Sequence, residues 1–303
     1  MRQAFCDGLM RQQSREDFVF LTGDLGYRAL EPLQEALGDR FINAGVAEQN
    51  MVSVAAGLAR QGLRPWVYSI APFIFARPFE QIRNDVCMHS LPVVLVGNGG
   101  GYGYGVMGST HHALEDYGVL LTLSDMEVFI PSFDNDLVNL IPQLFESNRP
   151  GYLRLGLGEQ PASCLPPAFS PWRKLVSGTA GTLIAVGPLV GSLWGLCLEL
   201  PELQRPNLWC LSQLPLATFP QELRQDLANS PRLVIAEEHV AQGSAGHAIA
   251  MELLQSQNIP RIFRHVTALG YPSGRYGSQK FHRKECGLDA ASLIAGFQSG
   301  VAI

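Results

Sequence analysis

The chain has 303 residues, of which 47% are hydrophobic and 16% are charged, and its formal net charge is −5 at pH 7. This composition is typical of a globular protein with a large buried core, and the length favours two domains, since single cores rarely grow beyond about 250 residues. The net negative charge gives no sign of an extensive positively charged surface, which argues against nucleic acids and anionic membranes as partners.

The N-terminal segment and the cysteines favour a cytoplasmic location. The first seven residues lack the basic and apolar regions of a signal peptide, and no apolar run reaches the ~18 residues of a membrane span. Six cysteines are scattered along the chain without paired spacing. This spacing is typical of reduced, mostly buried thiols and not of disulfides or zinc ligands.

Strand and helix patterns alternate through the first half of the chain. Apolar runs predict strands at residues 18–21, 41–45, 65–68, 91–97, 126–131 and 152–155. Apolar residues at helical spacing predict helices over residues 48–60, 73–88 and 134–145. The run at 91–97 is rich in β-branched residues, as central parallel strands are. The alternation predicts a doubly wound α/β domain over residues 1–160.

A proline-rich segment separates the two halves. Residues 158–172 contain four prolines, and we predict a linker over residues 161–172. A second α/β unit is predicted over residues 173–303. Its predicted strands and helices lie at residues 182–187, 191–200, 207–210, 232–237 and 246–255. The predicted fold class is therefore α/β, with two doubly wound domains.

Several polar and aromatic residues follow predicted strands in the first domain. Glu48 begins a predicted helix after a strand, Phe73 lies in an aromatic segment, and a glycine-dense loop leads to His111 and His112. Each has an ordinary explanation: a favourable helix-dipole contact for the glutamate, a core position for the phenylalanine, and loop hydrogen bonds for a histidine. In this order, they favour a ligand site at the edge of the sheet.

Residues 45–51, Gly-Val-Ala-Glu-Gln-Asn-Met, closely resemble the signature around the essential glutamate of transketolases and 1-deoxy-xylulose-phosphate synthases. Phe73 lies where those families place an aromatic ring against the thiamine pyrimidine, and residues 77–85 look like the helix that follows. Residues 108–116 are similar to the family's element of glycine, serine or threonine, and histidine.

The resemblance extends into the second half of the chain. Residues 152–154 resemble the strand whose arginine contacts substrate phosphate, and residues 236–246 resemble the family's C-terminal domain. The resemblance covers nearly the whole chain, but only the C-terminal two thirds of a full-length transketolase. The two units would then be a thiamine-pyrimidine-binding domain and a transketolase-type C-terminal domain.

The absence of the family's N-terminal motif from this sequence implies a partner chain. Transketolases bind the cofactor diphosphate and its Mg²⁺ through an N-terminal Gly-Asp-Gly motif and a following asparagine, and this sequence has no such motif. The resemblance therefore implies the second subunit of a split thiamine-diphosphate-dependent enzyme. An N-terminal transketolase subunit would supply the diphosphate site and Mg²⁺ (or Ca²⁺), in a heterotetramer of two copies of each chain. We expect the isolated chain to be inactive.

The resemblance also implies roles for individual residues. Glu48 would hydrogen-bond the pyrimidine ring nitrogen and activate the cofactor, in apolar surroundings that disfavour its charged form. Phe73 would offer a flat wall to the pyrimidine. His111 would stabilise oxyanions or move protons on the substrate. Asp24, after the first strand, has two equally favoured interpretations, a cofactor contact and a loop cap.

The residues that would contact substrate depart from the family pattern. Met107 stands where transketolases and the synthases have an aspartate that reads a substrate hydroxyl, and Gly99 stands where transketolases have an acceptor-channel histidine. A thioether cannot replace a charged hydrogen bond. We therefore expect ketol (two-carbon) transfer from an unusual ketose-like donor to an aldehyde acceptor. Arg154, as a phosphate or carboxylate clamp, and Arg77 are expected to contact the substrate.

Other functions are left open by the sequence. The glycine-rich loop is also similar to that of the beta subunits of 2-oxo-acid dehydrogenases, so 2-oxo-acid decarboxylation, acyl transfer or another carboligation are alternatives. A non-catalytic half that serves as a structural or regulatory partner is a further alternative. The part played by His112, which stands where the family has a glutamine, is also left open.

Overall fold

A computed structural model describes residues 1–25, 29–162, 164–230 and 232–299. Residues 26–28 of the predicted first domain, residue 163 of the predicted linker, and residues 231 and 300–303 of the predicted second domain lie outside these ranges. The strands are β1 (Phe18–Thr22), β2 (Phe41–Asn43), β3 (Arg64–Ile70), β4 (Val94–Asn98), β5 (Glu127–Phe129), β6 (Gly151–Leu155), β7 (Trp172–Val176), β8 (Thr182–Val186), β9 (Asn207–Leu211), β10 (Gln213–Leu214), β11 (Arg232–Ala236) and β12 (Ile262–Val266).

The helices alternate with these strands, as the sequence predicts. They are α1 (Arg2–Met10), α2 (Glu31–Leu37), α3 (Glu48–Arg60), α4 (Ala71–Phe75), α5 (Phe79–Gln81), α6 (Asp116–Leu120), α7 (Asp136–Glu146), α8 (Leu189–Glu199), α9 (Gln221–Asn229), α10 (Ala245–Gln255), α11 (Gln279–Glu285) and α12 (Ala290–Ser299). None of these helices is long and apolar enough to span a bilayer.

The first sheet has the strand order β10-β5-β6-β4-β3-β1-β2 in the described residues. Strands β1 to β6 run parallel, and β10 is antiparallel to its neighbour β5. The predicted central strand is confirmed: β4 lies between β3 and β6, with Val94, Leu95 and Val96 buried.

Helices cover both faces of this sheet, because successive strand residues point to opposite sides. On one face, α3 packs Met51 and Val52 into the same buried cluster as Leu21 of β1. On the other face, α1 and α7 pack with Phe20 of β1 in a second buried cluster. The first domain is therefore doubly wound, as predicted.

The helix predicted over residues 73–88 is broken in the structure. α4 ends at Phe75, α5 begins at Phe79, and a wide π-helical turn follows over Ile82–Val86. Pro78 explains the break, because proline has no N–H to donate and its ring disfavours helical backbone in the residue before it. The break places Arg77 in a short connection at the end of the sheet.

The second sheet has the order β12-β11-β8-β9-β7 among the described strands. Its strands are parallel except for β7, which pairs antiparallel with β9. This arrangement confirms the α/β class of the second unit. Trp172, the last residue of the predicted linker, is already the first residue of β7.

The two units are joined by more than the linker. β10 returns from the second half and pairs with β5 in the first sheet, with Gln213 opposite Phe129. Arg173 of β7 forms a buried ion pair with Asp136 of α7, at 2.6 Å. The boundary at 161–172 therefore separates two sheets but not two independent structures.

Candidate active site

Glu48 is the first residue of α3, directly beyond β2, and it is 5% exposed. The Nη1 atom of Arg77 donates to both carboxylate oxygens at 2.9 Å, and the Ser69 hydroxyl donates to Oε1 at 3.4 Å. The start of a helix also favours negative charge. Glu48 thus has a cationic partner that the expectation of apolar surroundings did not include.

Phe73 and Arg77 lie in and just after α4, where the helix is broken. The guanidinium carbon of Arg77 is 3.9 Å from the centre of the Phe73 ring, which is the geometry of a cation–π contact. The Arg77 side chain is 44% exposed. Glu48, Arg77 and Phe73 therefore form one continuous group that opens to solvent.

His111 joins this group from the glycine-dense loop. Its ring meets the Phe73 ring edge to face, with 5.2 Å between the centroids. The hydroxyl of Thr110 lies 2.9 Å from His111 Nδ1. The opposite ring nitrogen, Nε2, has no hydrogen bond to any residue that the structure describes, so it is the nitrogen available to a ligand.

Tyr104 lies beside His111, with 5.9 Å between ring centroids, and the sequence reasoning did not single it out. Its hydroxyl accepts a hydrogen bond from Asn98 Nδ2 at 2.8 Å. Burial raises the pKa of Tyr104, so the phenol stays protonated at neutral pH. The clustering of tyrosines and glycines over residues 98–105 was the available signal.

The topology explains why distant segments meet here. β2, β3 and β4 are parallel, so the loops after their carboxyl ends lie along the same edge of the sheet. The segments that follow these strands carry Glu48 at the start of α3, Phe73 in α4 and His111 in the glycine-dense loop. The structure thus brings together the three residues on which the predicted site depends.

Asp24 and Met107 lie at the same edge but outside this contact group. Asp24 follows β1 and is exposed; no hydrogen bond or ring contact within the described residues joins it to Glu48, Phe73 or His111. Met107 ends a short turn four residues before His111 and is 55% exposed. Its thioether is accessible on the surface of the glycine-dense loop.

Arg154 is not brought to the site. It is 6% exposed, its Nε donates to Asp116 at 2.7 Å, and its Nη2 donates to the carbonyl oxygens of Ala113 and Glu238 at 2.9 and 3.0 Å. This placement argues against the predicted contact with a substrate phosphate. We assign Arg154 to the junction between the two units.

His112 also serves the structure and does not join the contact group. Its Nε2 lies 2.8 Å from the Gly105 carbonyl oxygen, and its Nδ1 lies 2.8 Å from the Tyr271 hydroxyl. Burial lowers the pKa of His112, and the neutral ring can donate to the carbonyl while accepting from the phenol. His112 therefore ties the glycine-dense loop to the second unit.

The segment around Glu237 and Glu238 forms the other connection between the units. Glu237 is fully buried and accepts hydrogen bonds from Tyr117 and from the backbone N–H groups of Ala245 and Gly246. Although burial opposes its ionisation, the hydrogen bond and charge of His265 hold the pKa of Glu237 below its usual range.

Glu238 repeats this pattern. It accepts from the backbone N–H of Tyr102 at 2.6 Å and from Arg283 Nε at 2.6 Å. Both carboxylates thus bind the second unit to elements beside the site. Among the described residues, no group of three or more His, Cys, Asp or Glu side chains is arranged to hold a metal ion.

Comparison with known proteins gives the family. The model of the transketolase pyrimidine-binding domain matches residues 8–159. The chain is 31% identical to an apulose-4-phosphate transketolase subunit of Phocaeicola vulgatus, over 89% of this chain and 87% of that protein. It is 34% identical to 1-deoxy-D-xylulose-5-phosphate synthase 1 of Geobacter metallireducens, over 88% of this chain but 43% of that protein.

Solved structures agree with these relatives. A split-gene transketolase, solved as an inactive β4 tetramer, superposes with a TM-score of 0.81 at 27% identity, over 99% of this chain and 97% of that one. The transketolase of Leishmania mexicana gives a TM-score of 0.76 at 18% identity over 45% of its own length, which shows the shared fold.

This chain belongs to the transketolase family, whose members depend on thiamine diphosphate, and it carries the pyrimidine-binding domain of that family. It spans less than half of the synthase that it resembles but nearly the whole of the related apulose-4-phosphate transketolase subunits. In extent it therefore corresponds to the second subunit of a split transketolase.

Proposed function

We propose that this chain is the pyrimidine-binding subunit of a split transketolase-type enzyme, which moves a two-carbon ketol unit from a ketose-like donor to an aldehyde acceptor. The observation that carries the proposal is the continuous group of Glu48, Arg77, Phe73 and His111 at the carboxyl edge of the first sheet. The match in extent to the apulose-4-phosphate transketolase subunits supports the split organisation.

The residues present fit the pyrimidine half of thiamine diphosphate. Glu48 keeps acceptor capacity beyond its contact with Arg77, because an ionised carboxylate has about four lone-pair sites. It would accept a hydrogen bond from the pyrimidine ring nitrogen when that nitrogen carries the shared proton, while Phe73 would offer the ring a flat apolar face. Asp24 would face the cofactor from the neighbouring strand. When bound, the cofactor supplies the carbanion chemistry of the reaction.

A partner chain would complete the site. We propose that an N-terminal transketolase subunit holds the diphosphate and Mg²⁺ (or Ca²⁺), and that two copies of each chain form a heterotetramer. Two exposed apolar side chains would be covered in that assembly. They are Val46, close to Glu48 and 78% exposed, and Val106 on the glycine-dense loop, which is 71% exposed.

Arg77 and His111 would have distinct roles. Arg77 contacts both oxygens of Glu48, so it compensates the charge of that carboxylate and fixes its orientation. In the assembled enzyme its exposed side would also contact substrate. His111, held at Nδ1 by Thr110, would move protons at a substrate oxygen through Nε2.

Met107 would shape the choice of donor. Its exposed thioether offers only a weak acceptor and no charge. A donor hydroxyl placed against it would lose hydrogen bonds to water without replacement, which disfavours ordinary hydroxylated ketoses. We therefore propose a donor that lacks a hydroxyl at that position.

The proposal is tested by producing the chain together with the product of its neighbouring coding region, expected to have roughly 250–300 residues. With thiamine diphosphate and Mg²⁺, the pair should transfer ketol units from at least one member of a panel of ketose phosphates, which includes apulose 4-phosphate and deoxygenated donors. Neither chain should do so alone. A pair that turns over neither ketoses nor 2-oxo acids would favour the non-catalytic alternative.

A second candidate is the carboligation of a 2-oxo acid. It is supported by the 34% identity to a 1-deoxy-D-xylulose-5-phosphate synthase. The two functions differ in a simple readout, because a 2-oxo acid donor releases CO₂ and a ketose donor does not. Release of CO₂ from pyruvate by the assembled pair, with no ketol transfer, would replace the first proposal by the second.

A further inference from the structure

A loop of the second unit touches the turn that carries His111. None of the described residues after β7 belongs to the group of Glu48, Arg77, Phe73 and His111. Residues 269–278 nevertheless pack against the glycine-dense loop. The hydroxyl of Tyr276 lies 3.2 Å from the hydroxyl of Ser109. A Cβ atom at Gly108 would lie 3.1 Å from the Tyr276 ring, so the ring rests directly on that glycine.

The turn beneath Tyr276 leads straight to the candidate catalytic histidine. The backbone N–H of His111 donates to the Gly108 carbonyl oxygen at 2.9 Å, which closes the turn. Gly108 has a φ of +79°, a conformation that side chains disfavour. Thr110 then contacts His111 Nδ1. A displacement of Gly108 or Ser109 would therefore move the imidazole.

The same loop of the second unit holds the glycine-dense loop at a second point. The Tyr271 ring meets the Tyr276 ring edge to face at 5.1 Å, and the Tyr271 hydroxyl contacts His112, which contacts Gly105. His112 is buried at that second point, and Tyr271 is partly buried. Tyr276, by contrast, is 53% exposed, so its side chain contributes little to the buried core.

We propose that Tyr276 is a positioning residue for His111. It holds the turn of residues 108–111 so that the imidazole stays edge-on to Phe73 with Nε2 turned to the ligand. The chemical role of His111 rests on the proposed function, whereas its dependence on Tyr276 can be measured in the isolated chain.

The test follows the ring-nitrogen NMR signals of His111 in full-length chain labelled with ¹⁵N histidine, with the His111→Gln variant as the assignment. Tyr276→Ala should shift or broaden the His111 signals and leave those of His239 and His265 unchanged. Tyr276→Phe, which keeps the ring over Gly108, should restore most of the wild-type signal. Leu269→Ala, an exposed position at the start of the same loop, is the matched control and should change nothing.

Two results would overturn the proposal: an unchanged His111 signal in Tyr276→Ala, or equal changes in all histidine signals, which would mean a general structural effect. In the assembled enzyme, Tyr276→Ala should lower kcat by about tenfold to a hundredfold with an unchanged KM for thiamine diphosphate. A shifted His111 signal with unchanged kcat would instead overturn the catalytic role of His111, so the two failures are distinguishable.

Discussion

The Nη1 atom of Arg77 donates to both carboxylate oxygens of Glu48 at 2.9 Å, while the guanidinium lies on the Phe73 ring. The two groups that would bind the pyrimidine are therefore held together by one arginine before any cofactor arrives. Because the same guanidinium covers one face of the Phe73 ring, a bound pyrimidine would take the other face or displace Arg77.

Arg77→Ala is expected to destabilise the chain by about 1–2 kcal/mol, because it leaves a nearly buried carboxylate without its counter-charge; the partial exposure of Arg77 limits the effect. Urea unfolding measures it. In the Glu48→Gln background the same change should have little effect, since the charge is already gone. Equal losses in both backgrounds would show that the ion pair does not contribute.

Met107→Asp is expected to shift donor preference towards hydroxylated ketoses, because a carboxylate can accept the hydrogen bonds that a thioether cannot. We expect the ratio of kcat/KM values between hydroxylated and deoxygenated donors to rise about tenfold or more, equivalent to one hydrogen bond to a charged group. Met107→Leu, which changes the side chain without adding charge, is the control and should leave the ratio unchanged. A donor profile unchanged in Met107→Asp would show that Met107 does not face substrate.

Arg154→Met is expected to cost about 3–5 kcal/mol of stability, because it leaves the fully buried Asp116 carboxylate without its cationic partner. The effect should appear in urea unfolding of the isolated chain. A substrate clamp would behave differently: stability would be unchanged, and the KM for phosphorylated substrates would rise in the assembled enzyme.

The stability of the chain should fall below neutral pH. Burial lowers the pKa of His112, His239 and His282 from the ordinary value of 6.5. Below pH 6.5 the unfolded chain binds protons at these positions that the folded chain does not, so stability is lost as pH falls from 6.5 towards the folded values.

Each histidine can lower the free energy of unfolding by at most about 1.4 kcal/mol per pH unit. Unfolding free energies measured between pH 8 and pH 5 give the slope. Glu237 adds a loss at lower pH, since its folded pKa is lowered and its ionised form is the one that the fold stabilises. His112→Gln should reduce the slope between pH 6.5 and pH 5. A slope equal to that of the wild type would contradict the contribution of His112.

Local patterns predicted much of the fold. The bounds of α3 and the central position of β4 follow from periodicity and β-branched composition, and both are found in the structure. The motif order brought Glu48, Phe73 and His111 into one predicted site. The sequence analysis did not predict the break at Pro78, although it could have done so, because proline seldom continues a helix.

The remaining features depend on residues that are far apart in the chain. Arg154 was predicted to be a substrate clamp from the resemblance of residues 152–154. Its partner Asp116 lies 38 positions away, and only the folded structure brings the two together. The return of β10 to the first sheet and the contact of Tyr276 with Ser109 are equally non-local. Periodicity and local propensity carry no information on such pairs.

Glu48 is proposed to share a proton with the pyrimidine ring nitrogen and so to activate the cofactor. The most direct measurement is turnover of the Glu48→Gln variant, assembled with its partner and saturated with thiamine diphosphate and Mg²⁺, together with exchange of the cofactor C2 proton. We predict a loss of about 10²- to 10⁴-fold in both rates, since an amide cannot share a proton as a carboxyl group does, with an unchanged unfolding midpoint for the assembly. Turnover near that of the wild type would contradict this role of Glu48.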